Sequence, residues 1–398
     1  MRRLPVATAA VALTLYGCSS SPSKADGSNP PISLATFQAA DVVLGQADFT
    51  STSPDRGGSV SAGGVRFPVG DAHFAAGVLV LPDTYNHRLL AYQGVPGTSG
   101  AGADTVLGQA NGASAGPSHE PGRFHYPRSV GSQDAALIVA DAAASRVQLG
   151  VGAEPWTLGW GEGAPAYRWG CAADRLSAPS RAIVAGGRLI VADRGNNRVL
   201  VWNKVPGGPA PADLVIGQRN LQHCVANDAL GKGVSGGRTA RTLQHPTDVW
   251  SDGERLAVVD QGNNRVLLWN RLPRESGTRA DVVLGQLDFN VGAAATTEAG
   301  LNAPAAVASD GRTLFVADER NHRVLGWTPF PAASGQPANL VLGQSDFSHR
   351  APNDDDQDGV TDGATARTLH HPTGLAVAGQ FLVVTDTYNH RYLLYRGR

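Results

Sequence analysis

The residues most able to do chemistry lie near the C-terminal end of the 398-residue chain. In residues 354–362, aspartates alternate at Asp354, Asp356 and Asp358, Gly359 follows, and Asp362 comes four residues later. Calcium takes six to eight oxygens, and alternation places carboxylates on one side of a loop that glycine can bend. Thr365 stands where a bidentate glutamate would complete the set, so this reading extends to a structural calcium and no further. Histidines form the second group. His125, His245 and His371 precede prolines in alternate copies of a repeat described below, and His370 stands beside the last. Three imidazoles meeting at one point could bind zinc or copper, which requires each nitrogen to come within ~2 Å of the ion; the preferred reading is that each histidine fills its own loop position at the rim, far from the others. The third group is Cys171 and Cys224. A disulfide is the preferred reading in an oxidising compartment and two buried thiols the alternative.

Six copies of one pattern must position these groups. An aspartate is followed five residues later by an arginine, as Asp83–Arg88, Asp141–Arg146, Asp193–Arg198, Asp260–Arg265, Asp318–Arg323 and Asp386–Arg391. Asparagine stands two before the arginine in every copy but the second, which has Ala144. A proline opens each copy (Pro68, Pro127, Pro179, Pro246, Pro304, Pro372), and a Val-Leu-Gly-Gln element recurs, for example at 43–46 and 283–286. Short Val/Leu/Ile runs bounded by Gly, Pro, Asn and Asp read as strands and turns, four per copy. A catalytic group is seldom needed six times. The repeated aspartate and arginine are therefore read as framework, with the arginine bridging carboxylate or carbonyl groups and asparagine tolerating the turn. The aromatic four residues after the arginine is expected to pack between blades.

Four-stranded units too small to bury their own faces make a propeller. The expected fold is all-β, a six-bladed β-propeller of four-stranded blades over residues 40–398. The chain ends after the third strand of copy six, while an unmatched fourth-strand element lies at 41–46. That N-terminal strand is expected to pair with 391–395 and close the last blade, leaving no free sheet edge. The strands after the prolines should line the channel, bringing Asp71, His73, Arg128, Arg181 and Asp248 inward. His125, His245, His371, Arg128 and Asp248 are the candidate channel-mouth binding residues.

The segments Asp83-Thr84-Tyr85-Asn86-His87-Arg88 and Asp386-Thr387-Tyr388-Asn389-His390-Arg391 resemble the NHL repeat, and the resemblance covers about 360 residues of the chain. It implies a propeller and says little about activity. One NHL-type enzyme, the peptide-amidating lyase, holds zinc with histidines directly after the opening proline. Here those positions are Val69, Arg128, Ser180, Thr247, Ala305 and Thr373, which argues against that activity. The acidic segment is similar to the calcium loops of dockerin and thrombospondin type 3 repeats.

The N-terminus reads as an address. Met1-Arg2-Arg3 is basic, and residues 4–15 are apolar but shorter than the roughly 20 residues that span a bilayer. Leu15-Tyr16-Gly17-Cys18 resembles a bacterial lipoprotein signal, which implies cleavage before Cys18 and its lipidation. Residues 1–18 are then the signal and 19–39 a flexible polar tether. The expected location is the bacterial cell envelope, extracytoplasmic and membrane-anchored, with Ser19 favouring the outer membrane. Hydrophobic residues are 42% and the net charge is -1. A globular core follows, and nucleic acid is excluded as a partner for want of a basic field. The functional expectation is an anchored, non-enzymatic binding or scaffold module for a protein or small polar ligand. The alternative is an extracytoplasmic metal-dependent lyase or hydrolase acting at the channel mouth.

Overall fold

The computed structural model describes residues 32–133, 136–151, 155–159 and 171–398. Its strands form six sheets of four antiparallel strands each. Blade four shows the plan. Its inner strand is Pro246–Ser251, followed by Leu256–Asp260, Arg265–Trp269 and an outer strand Val282–Leu284. Inner strands contact the next blade's inner strand around the ring. The ring closes as expected: Val42, Val43 and Leu44 pair with Leu394, Leu393 and Tyr392. The third strands are buried on both faces, so they read as continuous apolar runs such as Val-Leu-Leu-Trp at 266–269. Tyr92, Trp202, Trp269, Trp327 and Tyr395 are all buried, packing blade against blade.

The Asp–Arg pair organises each blade. In all six, the arginine Nε donates to the aspartate at 2.7–2.9 Å, with both side chains buried. The other carboxylate oxygen accepts a backbone N–H from the loop leading into the same blade, as from Gln244 to Asp260 at 2.7 Å. The rest of the guanidinium reaches loop carbonyls: Arg265 donates to Thr239, Thr242 and Phe289. One side chain thus ties a blade's incoming loop, its central turn and its outgoing loop. A buried pair stripped of one partner costs about 3–5 kcal/mol, because the remaining charge has no water to turn to. Asparagine supplies a further donor to the aspartate, as Asn263 does at 2.7 Å. Blade two lacks it, and Gln148 reaches Asp141 instead at 3.5 Å. Burial pushes Asp141 up to about 7 and Asp83 up to about 6.

The turn differs in detail from the expectation. The asparagine lies inside a short 3-10 turn, and the left-handed residue is the next one: His87, Ser145, Asn197, Asn264, His322 and His390, with φ of 50–54°. The asparagine side chain is needed on the aspartate, so the following residue absorbs the reversal. That residue also joins blades. His390 Nδ1, His87 Nδ1, Ser145 Oγ, Asn197 Oδ1, Asn264 Oδ1 and His322 Nδ1 each accept the backbone N–H of the residue before the next blade's proline, at 2.7–3.4 Å. The donors are Phe67, Tyr126, Ala178, His245, Ala303 and His371, so the clasp runs round the whole ring.

Two further departures concern the ends. Residues expected as tether are docked from Ile32 onward. Ile32 is buried and donates its N–H to Asp310, and Ser33 O accepts from the N–H of Arg398. Ile32 and Leu34 supply apolar surface that a free tether would leave in water. The inner strand of blade one starts at His73, five residues after Pro68. Gly70, at φ +83°, lies against the next blade, where a Cβ would meet Arg128 O at 1.8 Å. Residues 1–31, with the signal and Cys18, lie outside the described residues.

The clasp is sensitive to acid. Burial pushes His87 and His390 down to about 4 and His322 to about 3, and each accepts a hydrogen bond only when unprotonated. Their folded values lie below the ordinary 6.5, so their contribution is complete above that pH and is lost as pH falls through about 4 to 3. The melting temperature of the protein should therefore drop over this window. A His87→Asn/His322→Asn/His390→Asn variant, using the residue of blades three and four, should drop less. Superimposable melting-against-pH curves for the two proteins would count against the clasp.

Candidate functional site

The sequence places two variable rings on one face of this framework. One is the residue after each opening proline. The other is the pair of residues after each repeated aspartate, in the turn joining the second and third strands. Both rings border a cavity of about 790 Å³ at the channel mouth. From the first ring come Val69, Arg128, Ser180, Thr247, Ala305 and Thr373. From the second come Tyr85, Arg194, Gln261, Gly262, Glu319, Arg320, Thr387 and Tyr388. Every blade contributes.

The floor is a charged plug. Arg181 of blade three makes ion pairs to Asp71 of blade one at 3.3 Å and Asp248 of blade four at 3.4 Å. Asp71 accepts from Leu375 N of blade six, Asp248 from Val307 N of blade five, and Arg181 donates to Val130 O of blade two. Three side chains therefore connect all six blades across the axis. Burial raises both carboxylates, Asp248 well above its ordinary value, where the neighbouring Asp71 carboxylate adds to the rise. Beside it, His73 contacts Ser132 Oγ at 2.8 Å and is pushed down to about 4 by burial and by Arg181.

The walls are different. Burial and the nearby Arg194 push Arg128 down to about 10. Burial also lowers Arg194, with Glu319 opposing. Glu319 accepts from Gln261 at 2.9 Å and lies 3.3 Å from His371 Nδ1. Phe67 packs against Tyr85 and Tyr388 with ring centroids at 5.3 and 5.7 Å, and both tyrosines are about half exposed. The cavity thus offers guanidiniums on one wall and aromatic faces at the rim.

The sequence candidates are dispersed. Arg128 and His245 line the mouth cavity. Asp248 is withdrawn into the plug, where Arg181 and two backbone N–H groups hold it, rather than standing at the mouth. His125 stacks with Tyr126 and lies near His87 and His119, between blades one and two. His371 packs against His322, His370 and Tyr388, between blades five and six. The three alternate histidines do not converge: the N–H groups of His245 and His371 are bound to the left-handed residue of the preceding blade, and that of His125 to Asp141 of its own blade. Among the described residues, the one group of three or more metal-capable side chains is Asp354, Asp356 and Asp362, with ligand oxygens within 4.8 Å of one another. Asp358 is not in it; its carboxylate accepts the N–H of Val360. Cys171 and Cys224 form a disulfide, with Cα atoms 5.9 Å apart.

Arg194, Gln261 and Glu319 were not expected at the mouth. Their signal was variation inside a constant frame, since the two residues after the aspartate change from copy to copy while aspartate and arginine stay, as does asparagine in every copy but the second.

Solved structures with this architecture are β-propeller proteins. An auxiliary nutrient binding protein from Bacteroides ovatus is 12% identical, aligned over 92% of this chain and 75% of that one, with a TM-score of 0.51. Its counterpart from Bacteroides thetaiotaomicron is 12% identical over 83% of this chain and 69% of that one, at 0.49. A streptogramin B lyase is 10% identical over 88% and 97%, at 0.44. No family model and no curated protein matches the sequence.

Proposed function

We propose that this chain is a binding module that captures a small polar ligand at the channel mouth without transforming it. The observation that carries this is the mouth cavity itself. It is closed below by the Asp71–Arg181–Asp248 plug and lined by polar side chains that the repeating framework does not use. Its volume lies in the range of small-molecule sites. The Bacteroides ovatus protein offers a precedent for nutrient binding on this fold. The repeats are read as NHL-like on the Asp-Thr-Tyr-Asn-His-Arg segments.

Two further readings accompany it. Residues 1–18 act as a lipoprotein signal, and lipidated Cys18 holds the protein at the bacterial envelope, on the outer membrane. In support, Ile32, which follows the polar segment after Cys18, is docked against Asp310. Asp310 sits in a turn between first and second strands, on the face opposite the cavity, so an anchor there leaves the mouth uncovered. Secondly, the loop 354–362 holds a structural calcium through Asp354, Asp356 and Asp362.

Three experiments test these readings. Titration calorimetry against small polar metabolites should find a one-to-one complex and no product. Ligand at a hundred times its Kd should stabilise the fold by about 2.7 kcal/mol. Thr247→Tyr, which puts a ring into the cavity from the inner strand of blade four, should weaken binding at least ~10-fold while the fold still melts cooperatively; undiminished affinity in that variant, or turnover of the bound molecule, would refute capture at this site. Cys18→Ala should move the protein from the membrane to the soluble fraction of expressing cells, and unchanged fractionation would remove the anchor. Calcium should raise the melting temperature of chelator-treated protein, and Asp356→Asn/Asp362→Asn should erase the rise. A chelator-insensitive melt would eliminate the ion.

A further inference from the structure

The buried arginines of the framework have their donors occupied: each of the six faces its aspartate and two or three loop carbonyls, and Arg181 faces Asp71 and Asp248. Arg128 and Arg194 are the exceptions among those turned to the cavity. Neither makes an ion pair with any described residue, and Arg194 Nε is buried with no partner. Thr247 is 8% exposed, lines the same cavity, and its Oγ1 also lacks a partner. These two half-buried guanidiniums line one cavity and repel, and Glu319 opposes that cost without an ion pair to either. Three arginines line the mouth (Arg128, Arg194, Arg320) against Glu319, and Glu319 is already engaged with Gln261 and His371. The floor adds no free cation, since its arginine is paired with two carboxylates. A protein of net charge -1 therefore carries a local positive site in its one six-sided hollow.

We propose that the mouth cavity takes a small organic oxyanion, a carboxylate or a phosphate monoester, seated on Arg128 and Arg194 with the flat face of its body against Tyr85 and Tyr388. This deepens the capture reading and rests on it. Guanidinium forks match either oxyanion with paired N–H donors. The free Thr247 hydroxyl adds a donor from the inner strand of blade four. The half-exposed tyrosines, steadied by Phe67, offer ring faces at the rim, which supplies affinity for a planar body.

Calorimetry on the full chain at low salt tests this with benzoate, phenyl phosphate, acetate, inorganic phosphate and benzamide. Benzoate or phenyl phosphate should bind, benzamide at least ~10-fold more weakly, and added salt should weaken the anions alone. Whichever of benzoate and phenyl phosphate binds more tightly identifies the oxyanion. Arg128→Gln and Arg194→Gln should each cost ~10-fold or more, the scale of a lost charged hydrogen bond. Both variants should melt at or above the parent temperature, because removing one of two unpaired like charges relieves repulsion; a framework role would lower it. Tyr85→Ala/Tyr388→Ala should weaken the aromatic probes and leave acetate and phosphate unchanged. The inference is overturned if benzamide matches benzoate, if the double arginine variant keeps its affinity, or if no anion binds. A neutral polyol that binds in the parent and at least ~10-fold more weakly in Thr247→Tyr, with no response to any anion, would overturn it while leaving cavity capture standing.

Discussion

A single buried ion pair, repeated six times, carries the architecture. Each arginine has one carboxylate for its charge and backbone carbonyls for its remaining donors, and each aspartate has a backbone N–H for its second oxygen. The loops of a propeller are long and irregular here, and they have few ladder bonds of their own. Their backbone groups are satisfied by the pair instead, which is why a fully buried charge persists where hydrophobic residues would pack as well. The pair is also local to its blade. Neighbouring blades are joined by other means: apolar faces, the ring of left-handed residues that accept from the next blade, and the crossing of the axis by Arg181.

Much of this was legible before any coordinates. Constant spacing between aspartate and arginine announced the repeat. An unmatched outer-strand element at 41–46, beside a last copy one strand short, announced the closure that Val42–Leu44 makes with the third strand of blade six. The disulfide between Cys171 and Cys224 was one of two open readings. The arrangement of histidines was legible in outline, since separate rim loops were preferred over convergence of His125, His245 and His371; what was not legible is that His245 and His371 are placed by hydrogen bonds to the adjacent blade, across roughly fifty residues, and His125 by Asp141 of its own blade. Asp248 misled for a related reason. Strand position indicated correctly that it points to the axis, but depth along the axis depends on which opposite side chains reach it.

The split between constant and variable positions explains how the fold accommodates a site. The aspartate and the arginine cannot change without unpairing buried groups, and where the asparagine is lost, in blade two, Gln148 reaches the aspartate instead. Residues between them, such as Arg194, Gln261, Glu319 and Arg320, differ from copy to copy on a backbone already held at both ends. The hollow is therefore assembled from six independent short segments on rigid supports, and altering one need not disturb the rest. The same logic applies after each proline, where Arg128 occupies a place that is valine, serine, threonine or alanine elsewhere.

The crossing of the axis by Asp71, Arg181 and Asp248 has a consequence for traffic. The molecule is a cup and not a pipe. Whatever settles inside must leave by the doorway it came through, so arrival and escape are governed by the same few rim side chains, Tyr85 and Tyr388 foremost. A long polymer cannot be threaded or scanned along its length; only its tip, or a free molecule of modest size, fits the bowl.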